Sequence, residues 1–315
     1  MPDNNKQIFH IACAVDDSFS YPLSVMLLSC LENNRQHNLK IHLFSASLSA
    51  KSVELFDDLV TQYGQQFKFY RLNNDVFEGL PVSNRISVAS YYRIIMPEHI
   101  DPSVEKYLYL DADVIINNDL ESLFMINTGD KILAAVNDIT SVDMKLEQKH
   151  NIPERHKYFN AGVLLINKNN WLKQDAGKRV LRYLKENREL CDYHDQDGLN
   201  GALYKDRLTI SPVWNQQVGL FFVDSDIIRE VYPDDIEKAK RDPFIIHFNG
   251  GEKPWNRVSA HPFKKEFKKY ARLVNTFNYS EKAGFKKLVK RHLIYGLFGW
   301  RNVSRYYYKK TKTTG

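Results

Sequence analysis

Cysteine is scarce in this chain: its 315 residues hold three, Cys13, Cys30 and Cys191, an odd number with no C-x-x-C pair. That pattern argues against a disulfide framework or a structural zinc site and fits a reducing compartment. Long hydrophobic runs are missing too. No stretch approaches the roughly 20 apolar residues that a membrane-spanning helix needs. The apolar run at residues 8–15 is too short, and too promptly followed by Asp16-Asp17, to be a signal peptide. No internal repeat, low-complexity tract or nucleic-acid-binding motif is present. The expectation is a soluble or peripheral protein that does not bind nucleic acid.

The 43% apolar content allows a full core in one large domain, or one domain with an appendage. The net charge of +6 hides an asymmetry. Residues 261–315 carry 15 Lys/Arg against 2 Glu, whereas the preceding 260 carry 29 Lys/Arg against 36 Asp/Glu. An acidic body therefore precedes a basic segment, and the division 1–260 and 261–315 follows that shift.

Within the body, strand-like and helix-like segments alternate. Strands are expected at 8–15, 40–45, 67–72, 106–110, 132–136, 163–167 and 244–246. Helices are expected at 21–33, at 50–63 with Gly64 as C-terminal cap, at about 170–187, and from 194 to near 203. The alternation implies an α/β fold with a mostly parallel sheet covered on both faces. Ligands in such sheets sit outside the carboxyl ends of the strands, where Asp16 and Asp111 both fall.

Four segments carry chemistry, each with a plainer alternative. Asp111-Ala112-Asp113 ends a hydrophobic strand. Two carboxylates so placed can hold a hard divalent cation against a diphosphate, or can be turn and cap residues. Asp195/Asp197 and Asp224/Asp226 repeat the spacing, so the pair alone does not decide. His247-Phe-Asn-Gly250-Gly-Glu-Lys253-Pro-Trp255 offers an imidazole for a metal, glycines for close backbone approach and a fixed cation for phosphate. It equally describes a turn with a core histidine and a solvated lysine. Asn160 and Gly162 precede a buried strand, as a sugar-hydroxyl partner with a tight turn, or as a turn alone. His194-Asp195-Gln196-Asp197 opens a helix, as an N-terminal cap or as the group beneath a reacting carbon.

The co-linear set Asp16-Asp17, Ser87…Tyr91…Arg93, Leu110-Asp111-Ala-Asp113, Asn160-Ala-Gly162-Val-Leu-Leu-Ile-Asn167, Asp195-Gln196-Asp197 and His247…Gly250…Lys253-Pro-Trp255 resembles glycosyltransferase family 8. Over about residues 8–257 it is most similar to the bacterial lipopolysaccharide and lipooligosaccharide galactosyl- and glucosyltransferases. The resemblance implies a GT-A fold, Mn²⁺ with Mg²⁺ as a substitute, a UDP-galactose or UDP-glucose donor, and retention of the donor's α configuration. It implies Asp111, Asp113 and His247 as metal ligands. Ala14, Asp16 and Ala112 would sit at the nucleotide, Gly250 and Lys253 at the diphosphate, and Arg93, Asp138, Asn160, Asp195 and Gln196 around the hexose. Asp195 and Gln196 are the candidate catalytic residues. A covalent intermediate and same-face attack both remain open, since a neutral amide is a poor nucleophile. Ser18-Phe19 stands where the family often has Asn-Tyr, and Arg85 where relatives can carry His.

In residues 261–315, Phe263, Phe267, Tyr270, Phe285, Leu288, Leu293, Tyr295, Phe298, Trp300 and Tyr306–Tyr308 are interleaved with Lys/Arg pairs. This suits either an anionic inner leaflet, beside a glycan or lipid-linked acceptor, or a basic helix packing its aromatics on the body. The first reading puts the protein in the cytoplasm, peripheral to the inner face of the plasma membrane. Two other functions are kept in view. Strand-Asp-x-Asp also resembles the nucleophile motif of haloacid-dehalogenase-like phosphatases, though three strands precede it here. A catalytically inactive nucleotide-sugar-binding homologue would carry the same contacts.

Overall fold

Apolar runs rich in β-branched and aromatic residues form the strands, as their composition dictates. In the computed structural model, residues 7–81, 88–257 and 259–274 are described, with 289, 293, 295–297, 299–300 and 302–304. The described strands are β1 (Ile8–Ala14), β2 (Asn38–Ser45), β3 (Gln66–Arg71), β4 (Lys106–Leu110) and β5 (Val114–Ile116). They continue with β6 (Leu133–Asn137), β7 (Phe159–Asn167), β8 (Arg207–Thr209), β9 (Gln216–Gln217) and β10 (Ile245–His247). A seven-stranded sheet has the order β3-β2-β1-β4-β7-β6-β8, and a small sheet has the order β5-β10-β9.

In the large sheet only β7 runs against its neighbours, pairing antiparallel with both β4 and β6. The remaining pairs are parallel. Reversal of one strand has a local consequence: the beginning of β7 lies at the same sheet edge as the end of β4. Leu110 is level with Val163, and the Asp111 amide donates to the Gly162 carbonyl at 2.9 Å.

Two expected elements differ from those observed. Asn160 and Gly162 stand inside β7, not in a turn before it. The expected helix at 170–187 is two helices, Lys168–Lys173 and Ala176–Glu186, parted at Asp175, whose φ of 50° cannot continue a right-handed helix.

The helix Ser20–Asn33 is buried along most of its length, between the sheet and later elements, with Leu23, Met26, Leu27 and Cys30 fully enclosed. The helix Lys264–Ala271 packs on it, with Phe267 and Tyr270 buried in the main core. The Tyr270 hydroxyl accepts from Asn33 Nδ2 at 2.7 Å. These two aromatics belong to the body and are not available to a membrane surface. Further along, Val303 is buried and Tyr295 Oη donates to Glu252 Oε1 at 2.9 Å, whereas Val289, Leu293 and Leu297, four residues apart, are exposed. Arg85, Ser87, Phe285, Leu288, Phe298 and Tyr306–Tyr308 lie outside the described residues.

Candidate active site

Strand geometry brings the acidic pair and the histidine together. β4 ends at Leu110, so Asp111 and Asp113 emerge at its carboxyl edge before β5 begins. β10 pairs antiparallel with β5, His247 opposite Val114, and the Phe248 amide donates to the Asp113 carbonyl at 3.0 Å. One ligand atom each from Asp111, Asp113 and His247 lie within 4.8 Å of one another. His247 Nε2 is 3.4 Å from Asp113 Oδ1 and 4.0 Å from Asp111 Oδ2. Two carboxylates and an imidazole converging in this way could hold a divalent cation.

Gly162 makes the convergence sterically allowed. A Cβ at that position would stand 2.2 Å from His247 Cε1 and 2.9 Å from Asp111 Oδ2. The glycine is there for close approach in a strand, not for a turn.

Lys253 Nζ lies 2.5 Å from Asp113 Oδ2 and 2.8 Å from the Phe248 carbonyl. Burial alone would raise the Asp113 pKa, but the Lys253 ammonium beside it outweighs that effect and holds this carboxyl well below the usual range. Gly250, at φ 79°, supplies the left-handed turn between His247 and Lys253. Ala14 and Ala112 are buried, and Ala14 closes β1 beside β4. Asp16 is half-buried and accepts from the Ser18 amide at 3.0 Å and from its hydroxyl at 2.5 Å, capping a short 3₁₀ turn. Ser18 is thus the partner of the Asp16 side chain.

Arg93 is buried between two acids. Its Nη2 meets Asp111 Oδ1 at 2.8 Å, its Nε meets Asp195 Oδ2 at 3.1 Å, and its Nη1 donates to the Ala161 carbonyl at 2.5 Å. Tyr109 Oη adds a second donor to Asp111 Oδ1 at 2.7 Å. Burial raises the Asp195 pKa to about 6; Arg93 opposes that shift but does not cancel it, and Asp111 adds to it. His194, at φ 49°, turns the chain sharply into the helix Asp195–Leu203. Gln196 Oε1 accepts from the Ala161 amide at 2.9 Å, and its Nε2 donates to Asp138 Oδ2 at 3.3 Å. Asp138 Oδ2 also accepts from Asn160 Nδ2 at 3.0 Å. Asp197 faces elsewhere, buried under the Tyr158 hydroxyl and the Tyr193 amide.

Hydrogen bonds and strand register thus connect Arg93, Asp111, Asp113, Asp138, Asn160, Asp195, Gln196, His247 and Lys253. Asn215 had no sequence signal. It is fully buried, and it bonds both His247 and Asn160. It follows Val213-Trp214 outside any recognisable spacing, and only the fold brings it to the site.

The family model described as glycosyl transferase family 8 matches residues 10–259, most of the chain. The chain belongs to this family. Like other family 8 members, it is a glycosyltransferase. It is 28% identical to general stress protein A of Bacillus subtilis over 84% of this chain and 93% of that protein. It is 26% identical to a lipopolysaccharide 1,2-glucosyltransferase of Escherichia coli, over 92% of this chain and 84% of the relative. Identity is also 26% to the lipopolysaccharide 1,3-galactosyltransferase of Salmonella typhimurium, over 82% and 76%. Among solved structures, the galactosyltransferase LgtC in complex with donor and acceptor sugar analogs superposes with a TM-score of 0.74 at 25% identity, over 86% of this chain and 98% of that one. The family 8 chain therefore has the GT-A fold.

Proposed function

We propose that the protein transfers galactose or glucose from its UDP-linked donor to a glycan or lipid-linked saccharide of the lipopolysaccharide or lipooligosaccharide core, with retention of the α configuration. The observation that carries this reading is the convergence of Asp111, Asp113 and His247 beside Lys253, against a polar wall of Arg93, Asp195, Asp138, Asn160 and Gln196. The names of the relatives, one a glucosyl- and one a galactosyltransferase, support the hexose and the acceptor class.

Asp111, Asp113 and His247 would hold Mn²⁺, or Mg²⁺ in its place, and the bound cation would neutralise charge that develops on departing UDP. Lys253, ion-paired with Asp113, stands where it can exchange that carboxylate for a diphosphate oxygen and stabilise the same charge. Ala14, Asp16 and Ala112, at the ends of β1 and β4, are assigned to the nucleotide, and Gly250 to the diphosphate. The amide of Gln196 is held at both ends and the Asp195 carboxylate by Arg93, so both are oriented before any sugar arrives. A fixed Gln196 favours same-face attack with the amide as a polar support over a role as nucleophile.

The test is UDP release from a panel of nucleotide sugars, with and without Mn²⁺ and without acceptor. The expected result is Mn²⁺-dependent release from one UDP-hexose. Donor binding without turnover on any acceptor would favour the inactive-homologue reading, and hydrolysis of a generic phosphoester would favour the phosphatase.

We also propose that the C-terminal segment docks the enzyme on an anionic inner leaflet. The exposed stripe Val289, Leu293 and Leu297 supports this, flanked in sequence by Lys286, Lys287, Lys290 and Arg291. Each basic residue near such a surface contributes about 1 kcal/mol. Deleting residues 280–315 is expected to abolish co-sedimentation with phosphatidylserine vesicles. Undiminished co-sedimentation would refute it.

A further inference from the structure

Buried amides lead from the hexose wall to the metal triad, and their direction can be deduced. A backbone N–H can only donate, and the Gly162 amide lies 3.0 Å from one side-chain atom of Asn160, which must be Oδ1. The Asn160 Nδ2 then faces Asp138 Oδ2, at 3.0 Å, as a donor to a carboxylate should. Asn215 approaches the same Asn160 Oδ1 at 2.9 Å, so the approaching atom is Nδ2. Its other atom, Oδ1, faces His247 Nδ1 at 2.9 Å and can only accept. His247 must therefore carry its proton on Nδ1.

We propose that Asn215 is a positioning residue for the metal-ligating imidazole, locking His247 in its Nδ1–H tautomer so that the Nε2 lone pair faces Asp111 and Asp113. The proposal rests on the metal reading above. A ligating histidine is ordinarily oriented by a partner on its other nitrogen, and here that partner is an amide, not a carboxylate. Asn215 is 0% exposed, and both its side-chain atoms are engaged. Its orientation is inherited from the Gly162 amide and from Asp138, which receives Thr140 on one oxygen and Asn160 with Gln196 on the other. The group that orients the sugar wall is thereby linked to the group that orients the metal ligand.

Two measurements test this. The first needs no variant: long-range ¹H–¹⁵N spectra of histidine-labelled, metal-free protein should show His247 protonated on Nδ1. A resonance pattern for Nε2–H would overturn the proposal. The second is Mn²⁺ affinity by calorimetry for the wild type, Asn215→Leu and Asn215→Asp. Loss of the acceptor in Asn215→Leu is expected to weaken Mn²⁺ by roughly 10–100-fold, and Asn215→Asp, which still accepts from Nδ1–H but sets an oxygen against Asn160 Oδ1, to weaken it less. Wild-type affinity in Asn215→Leu, or equal losses in both variants, would refute the role. If the wild type itself bound no Mn²⁺ while His247 remained Nδ1–H, the metal reading would fall, leaving the amide relay as an orienting device for the imidazole alone.

Discussion

Asp113 and His247 meet at 3.4 Å, and each has a second neighbour that holds it: Lys253 for the carboxylate, Asn215 for the ring. Replacing either should remove charge stabilisation at the leaving group. Asp113→Asn and His247→Ala are each expected to lower turnover at least about 100-fold and to abolish Mn²⁺-dependent UDP release, checked by steady-state kinetics. Gly162 gives a sharper prediction because it touches no substrate in this scheme. Its Cβ would overlap the His247 ring, and overpacking of this kind costs about 1–3 kcal/mol. Gly162→Ala should therefore weaken Mn²⁺ binding, in calorimetry, and lower the denaturation midpoint together. At this scale the sequence was partly readable. Asp111, Asp113 and His247 are legible only as parts of the co-linear set that resembles the family, because Asp-x-Asp recurs at Asp195/Asp197 and Asp224/Asp226 and a single histidine reads equally as a core residue. The need for Gly162 was misassigned, since a glycine before apolar residues reads as a turn until the opposing strand is known. Asn215 was invisible, because a buried amide acts only through neighbours distant in sequence.

The helix Asp195–Leu203 sits against the start of β7 through Asn200. The side chain accepts from the Phe159 amide at 2.7 Å and donates to the carbonyls of Phe159 and Gln196 at 2.8 and 2.9 Å. This clamp ties the helix that bears Asp195 and Gln196 to the strand that bears Asn160. Asn200→Ala leaves buried backbone groups unmet and is expected to cost about 1–3 kcal/mol in denaturant unfolding, with kcat falling more than KM rises. Strand existence and much of the helical register were legible from periodicity, because each element buries an apolar face. The sense of β7 was not, since a buried apolar run carries no mark of direction. β9 spans two residues and β8 three, too short for any pattern to register. The break at Asp175 was equally hidden, because both flanking segments share one helical periodicity.

For the molecule as a whole, two enclosed histidines should govern acid stability. His42 is fully buried between His10 and the Tyr70 hydroxyl, and His261 is buried against the Phe248 ring. Burial, aided by nearby positive charge, lowers both pKa values from 6.5 to about 3. Between those limits the unfolded chain binds protons that the folded chain refuses, so stability is full above about pH 6.5 and falls as pH drops. Together they should remove roughly 3 kcal/mol per pH unit within that window, partly offset between about pH 6 and 4 by Asp195, whose raised pKa acts in the opposite sense, as read by urea unfolding at stepped pH. A His42→Asn, His261→Asn pair that left this slope unchanged would show that other groups control it. The charge division of the chain was legible from composition, but the assignment of aromatics was not: Phe267 and Tyr270 resemble the other tail aromatics in sequence, yet they fill the core.

The reversed strand β7 and the late strand β10 impose an order on the life of the chain. Asp111 becomes available early in synthesis, but it has no complete set of partners until His247 and Lys253 have been made and docked. A nascent or truncated chain that ends before β10 can complete most of the large sheet and still present only part of the triad. Tight cation binding would thus report that β10 has docked on β5.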